Sequence, residues 1–125
     1  ELEMEKFYSR LFNIVRKEKA IQEGELYDGT YCNPPRPDYA PQNVYSFLRH
    51  TEQEVCLVSA NFSGMERTVR INIPQHAFDT IGLQECNGSA VELLSNVRRK
   101  IHLTPEIPLS VSLPAWGGVI LRFKR

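Results

Sequence analysis

Residues 55–73 read VCLVSANFSGMERTVRINI. An apolar run, Val55–Val58, stops in a small polar knot, Ser59-Ala60-Asn61-Phe62-Ser63, and a clean alternation follows. Val69, Ile71 and Ile73 fall on one side of that alternation, and Thr68, Arg70 and Asn72 on the other. A period of two is the mark of a strand with one buried face. The run before the knot reads as a strand near a sheet centre, with Cys56, Val58, Ala60 and Phe62 on one face. Asn61 and Ser63 suit a turn because their side chains can bond to nearby backbone, and Gly64 permits a positive φ. The stretch is therefore expected to be a hairpin with the knot as its connection.

The same period continues outward. Leu109, Val111 and Leu113 alternate with serines, Val119, Leu121 and Phe123 with Ile120, Arg122 and Lys124, and Ile101 and Leu103 with Lys100 and His102. Further strands are expected over residues 25–31, 44–50, 55–61 and 91–94. About eight short antiparallel strands with turn signals between them imply a β-sandwich or barrel, and the expected fold is a mostly β, Greek-key sandwich. The connection 32–42, CNPPRPDYAPQ, holds four prolines and must be extended and irregular. Thr51–Glu54 reads as a polar hairpin turn, 74–82 as a short helical turn, and Asn87-Gly88 as a tight turn.

Residues 3–23 break this pattern. Met4, Phe7, Tyr8, Leu11, Ile14 and Val15 recur at steps of three and four, which defines an amphipathic N-terminal helix with a wide apolar stripe. Arg16, Lys17 and Lys19 lie late in it, where cations suit the helix dipole, and Gly24 is a plausible stop.

The bulk numbers narrow the function classes. The 125 residues carry no net charge, which is the wrong balance for nucleic-acid binding. No apolar run approaches the roughly 18 residues of a membrane helix, and ELEMEKFYSR lacks the apolar stretch of a secretory leader. Cys32, Cys56 and Cys86 are far apart and odd in number, which points to buried or partly buried free thiols rather than a disulfide framework or a zinc site.

Four short strings stand in a telling order. They are Tyr8-Ser9-Arg10-Leu11-Phe12-Asn13-Ile14-Val15-Arg16-Lys17 leading to Gly24-Glu25, then Val44–Arg49, then Val55–Ser63 with its Ala-Asn-Phe-Ser ending, and last Leu113-Pro114-Ala115-Trp116-Gly117-Gly118-Val119-Ile120-Leu121. Together they resemble the C-terminal end of the α-amylase family of glycoside hydrolases (family 13). The resemblance spans nearly the whole chain. Its departures are a longer Pro-rich loop at 33–41 and Trp116 where many relatives carry a smaller residue or tyrosine. It implies that residues 1–23 are the last helix of a catalytic (β/α)8 barrel and that residues 24–125 are the all-β C-terminal domain that follows. The implied function is non-catalytic packing on the barrel, within a parent enzyme that hydrolyses or transfers α-glucosidic linkages. The family's catalytic carboxylates lie on earlier barrel strands, so no catalytic residue is carried over. The residues themselves, with no CxxC pair and no His ligand spacing, lead to the expectation of no cofactor and no metal.

The residues themselves offer little chemistry. Glycoside hydrolysis needs two carboxyl groups across a sugar. Glu52, Glu54 and Glu66 are the nearest thing to a cluster and read as a solvated rim. His50, His76 and His102 lack ligand spacing, and His50 and His102 read as surface residues. Trp116 and Tyr39 are the candidate carbohydrate-binding rings, because an exposed aromatic can stack on a pyranose. The competing reading puts Trp116 in the end of the core and Tyr39 in the packing of its own loop. A sugar-binding module for starch or maltodextrin is thus the alternative function. An immunoglobulin-like adhesion domain fits less well, given the leading helix and free cysteines. The wide helical stripe needs a cover, either a sandwich face or a second copy in a homodimer.

Overall fold

The computed structural model describes residues 2–18, 21, 24–40 and 42–125, and of these the side chains of residues 2–4, 7, 8, 11, 12 and 15 are excepted. Helix α1 spans Leu2–Lys17, with Arg16 and Lys17 in its last turn. The expected apolar stripe falls mainly on Met4, Phe7, Tyr8, Leu11 and Val15, whose side chains lie outside the described residues. Eight strands follow among the described residues: β1 (Glu25–Asp28), β2 (Val44–His50), β3 (Glu54–Asn61), β4 (Arg67–Ile71), β5 (Cys86–Glu92), β6 (Val97–Leu103), β7 (Leu109–Leu113) and β8 (Gly117–Lys124). Helix α2 (Gln75–Ile81) lies between β4 and β5 and ends on Gly82, whose left-handed φ of 84° lets its N–H bond back to Phe78.

All pairings are antiparallel. Six strands form one sheet in the order β1-β2-β3-β8-β5-β6, and β4 and β7 form a second. The main core lies on the inner face of the large sheet. Val55, Leu57, Val119, Leu121 and Phe123 meet Val69, Ile71, Val111 and Leu113 of the small sheet, and Phe78 and Ile81 of α2. β4 and β7 alternate, with one buried apolar face each, whereas β3 and β8, at the centre of the large sheet, are buried on both faces.

Three expectations are corrected. The knot at 59–63 does not close a hairpin. β3 pairs with β2 and β8, whereas β4 pairs with β7. The knot carries the chain from one sheet to the other. Its Asn61 is only 1% exposed; Oδ1 accepts the Ser63 N–H and hydroxyl, the local turn bonding expected of it, while Nδ2 donates to Met65 O and to the distant Pro114 O. Of the described glycines only Gly82 has a positive φ, so Gly64 does not use the freedom it has.

Asn87-Gly88 is not a turn either. Both residues lie inside β5, opposite His102 and Ile101. The β5–β6 turn falls at 93–96, where Asn96 takes the left-handed φ of 57°. A turn dipeptide needs a strand on each side. The strand expected at 91–94 instead runs Cys86–Glu92, through the dipeptide.

His50 is not a surface residue. It ends β2 on the inward side and is 9% exposed. The turn beside it is polar, but the strand register decides its direction. Two of the three thiols fit the expectation of buried or partly buried groups, while Cys86 is exposed.

Candidate interdomain face and aromatic clusters

The outer face of the large sheet forms a second, smaller apolar layer. Cys56, Val58 and Ile120 are buried there, with Ile14, Ile21, Phe47, Leu93 and Leu94 packed against them. These outward residues alternate with the core residues of β3 and β8. Ile14 and Ile21 come from the N-terminal segment, so that segment lies over the β3–β8 centre. A polar clasp fixes it at one side. Arg122 on β8 donates from one terminal nitrogen to both carboxylate oxygens of Glu18, at 3.0 and 3.2 Å. Its Nε lies 3.7 Å from Glu54. The Glu18 hydrogen bond raises the Arg122 pKa, and burial of the Cys56 thiol beneath the same segment pushes it up to about 12. Glu52 and Glu54 sit at one end of β3 and Glu66 beyond the other, so the three do not cluster.

The outer face continues past the helix towards β1. Leu26 and Tyr45 are exposed, and Tyr45 lies against Phe47 at 5.2 Å between ring centroids. Arg49 is on this face opposite Leu26 and Cys56. Its Nε is buried without a hydrogen-bond partner among the described residues.

The two sequence-expected rings are placed differently from each other. Tyr39 is 2% exposed. Its hydroxyl donates to Ser46 Oγ at 2.8 Å, and Ser46 bonds to Ser59 at 2.9 Å, so the ring anchors the Pro-rich loop to the inner face of β2 and β3. Asn33 secures the same loop by donating to the carbonyls of Gly29 and Asn72 and accepting the Asn72 N–H at 2.7 Å. Trp116 is half-buried in the β7–β8 turn with a left-handed φ of 49°. Its N–H donates to Ser63 O at 2.9 Å. The structure does not bring the two rings onto one surface.

Trp116 reveals a relation that spacing alone hides. Asn61 Nδ2 donates to Met65 O at 2.8 Å and to Pro114 O at 3.1 Å, while its Oδ1 accepts from the Ser63 hydroxyl at 2.7 Å. The Ala-Asn-Phe-Ser and Leu-Pro-Ala-Trp strings, distant in sequence, therefore meet around one carboxamide. Glu92 is a second buried group that sequence reasoning missed. It is 3% exposed and accepts from Leu94 N, Ser95 N, Ser95 Oγ and Ile120 N, all at 2.7–3.1 Å. Past Glu92 the backbone ladder to β8 continues in Leu93 N–H to Ile120 O, the Glu92 side chain accepts the Ile120 N–H, and it caps the next turn. The only sequence signal is an acid at the end of an alternating run, followed by a Ser-Asn turn.

A different aromatic group gathers at the edge of β1. Tyr27 is buried on the inward side of β1, and its hydroxyl hydrogen-bonds to that of exposed Tyr31 and, at 2.7 Å, to His76 Nδ1. Burial, then the Tyr31 contact, raise the Tyr27 pKa. Among the described residues no group of three or more His, Cys, Asp or Glu side chains could hold a metal, and no helix is long and apolar enough to cross a membrane.

No family model matches the chain, and no curated protein matches it in sequence. Its fold does match solved structures. The maltogenic α-amylase AmyB from Thermotoga neapolitana superimposes with a TM-score of 0.64 at 14% identity, over 93% of this chain and 24% of AmyB. AmyP, solved with maltose, gives 0.58 at 16% identity, over 91% of this chain and 19% of AmyP. CldA, a cyclomaltodextrin glucanotransferase of three domains, gives 0.54 at 21% identity, over 96% of this chain and 21% of CldA. This fold is thus one that amylolytic enzymes carry within longer chains, and the present chain spans about a fifth to a quarter of their length.

Proposed function

We propose that this chain is the non-catalytic, Greek-key sandwich domain of an α-amylase-type enzyme acting on α-glucans, with residues 1–23 as the closing helix of the catalytic barrel and residues 24–125 as the domain that stabilises it. The observation that carries this reading is the outer face of the large sheet. The N-terminal segment is clasped to it through Ile14, Ile21 and the Glu18–Arg122 pair. Beside that segment the face presents Leu26, Tyr45, Phe47 and an Arg49 Nε that still needs an acceptor. An apolar patch with one buried guanidinium N–H that has no acceptor among the described residues suits a partner domain that supplies a carbonyl or carboxylate. The likeness in fold to parts of amylolytic enzymes supports the same reading. A second copy over α1 is the competing occupant of the face, and a monomeric profile at high concentration counts against it.

Chemistry is assigned to the parent's barrel. The buried Glu92 already accepts four hydrogen bonds, so its oxygens serve the fold. The test has two arms. This chain, incubated with maltoheptaose, releases no reducing ends. In the parent enzyme, Phe47→Asp lowers the temperature of half-inactivation while kcat and KM at 25 °C stay within about twofold, since the lost contact acts on stability and not on the transition state. Sugar release by the chain alone, or an unchanged inactivation temperature, overturns the proposal. The second reading, an α-glucan-binding module, finds its support in the exposed ring of Tyr31.

A further inference from the structure

We propose that Tyr31 and His76 form a binding site for one glucose unit of an α-glucan, with Tyr31 as the stacking ring. The inference takes its ligand class from the function proposed above. Tyr31 is the most exposed aromatic ring among the described residues, at 63%. An exposed ring is ordinarily free to rotate, but here its hydroxyl is tied to that of Tyr27, which is buried in β1 opposite Leu48. The backbone beneath it is fixed as well. Asp28 Oδ1 accepts the Thr30 N–H at 2.8 Å, Asn33 N donates to Thr30 O, and the buried Asn33 side chain holds the turn to Asn72. Holding a ring still in solvent costs rotamer entropy and gains no burial until something covers it. Pre-organisation of this kind reduces what a ligand must order on binding.

The polar edge of the cluster fits a sugar in particular. Tyr27 stands between Tyr31 and His76, with ring centroids 6.1 and 5.8 Å away. Three hydroxyl and imidazole groups form one relay. With the His76 proton on Nε2, Tyr27 donates to Nδ1 and accepts from Tyr31, and Nε2 offers a donor. With the proton on Nδ1 the relay reverses, and Nε2 offers an acceptor. His76 Nε2 has no partner among the described residues. A sugar hydroxyl both donates and accepts, so either setting serves it. The apolar face of a pyranose, ringed by hydroxyls, matches a flat ring bordered by such a group.

The test is a titration of the 125-residue chain with maltoheptaose, followed by calorimetry and by the His76 imidazole resonances. Saturable binding that shifts His76 is expected. Tyr31→Ala should weaken it about tenfold or more, and His76→Ala should weaken it less. Trp116→Ala should leave it unchanged. Circular dichroism and thermal melts of the Tyr31→Ala chain check that it stays folded, and Tyr31→Phe, which keeps the ring and loses the relay, should fall between wild type and Tyr31→Ala. Unchanged affinity in Tyr31→Ala overturns this site and moves sugar binding elsewhere. No saturable binding at millimolar maltoheptaose overturns it too, yet leaves the barrel-stabilising role to stand or fall on the Phe47→Asp measurement.

Discussion

Asn61 holds the corner where the two sheets join. Its carboxamide satisfies two backbone carbonyls and the Ser63 N–H and hydroxyl, and it is almost fully buried. Asn61→Ala removes all four of these bonds, while Met65 O keeps the Ser63 hydroxyl and Pro114 O keeps the Gly117 N–H. A net hydrogen bond contributes about 0.5–1.5 kcal/mol, so losing four is expected to cost about 2–4 kcal/mol in urea unfolding. His50 gives the second prediction at this scale. Burial, with Arg125 and Arg49 beside it, lowers its pKa against the opposing pull of Glu25. The unfolded chain then takes up the proton first as the pH falls. The contribution of neutral His50 is complete above about pH 6.5 and is lost as the pH drops through the folded value. Urea unfolding at pH 7.5 and 5.5 should show a smaller loss for His50→Gln than for wild type.

At the scale of elements, β8 is the strand on which both layers depend. Its inward residues Val119, Leu121 and Phe123 complete the core, and its outward Ile120 and Arg122 receive the N-terminal segment. Gly118, just before them on β8 and paired with Ala60, is glycine because a Cβ there would sit 2.4 Å from Ser59 O. Ile14 is the described contact of α1 on this face. Ile14→Asp should release the helix without unfolding the sheets. Hydrogen exchange should then speed up for α1 amides and stay slow in β3 and β8. Equal acceleration in the sheets would show that α1 and the sandwich form one cooperative unit.

For the molecule as a whole, the six- and two-stranded sheets enclose one core and leave one outer face to other uses. Part of that face is taken by the N-terminal segment, and beside it Leu26 and Tyr45 are exposed while Phe47 and Arg49 are half-buried. The parent-enzyme measurement belongs to this scale: Phe47 also packs against the Cys56, Val58 and Ile120 cluster, so the neighbouring domain's share is the loss of heat resistance beyond that which Phe47→Asp causes in the 125-residue chain alone. The aromatic site at Tyr31 lies on the edge strand β1 and needs no such neighbour.

The sequence by itself determined the β-rich class and the place of most strands, because a period of two reports which side of a strand is apolar, while several ends shifted: the first strand stops at Asp28, β5 runs Cys86–Glu92, and α1 spans Leu2–Lys17. It located β2 to the residue, and found the Thr51–Glu54 turn through Thr51, whose Oγ1 accepts from Gln53 N and Glu54 N. Local period does not say which strand pairs with which. Only the tertiary structure decided that β3 and β4 lie in different sheets, that Asn87-Gly88 is strand, and that His50 points inward. The same holds for the sites. Tyr39 and Tyr31 are eight residues apart in one loop and look alike in sequence. Ser46 takes the first into the core, and Tyr27 and His76 hold the second at the surface. Those partners come from other strands and from α2, and the free energy that separates the two rings arises from contacts a linear reading does not contain.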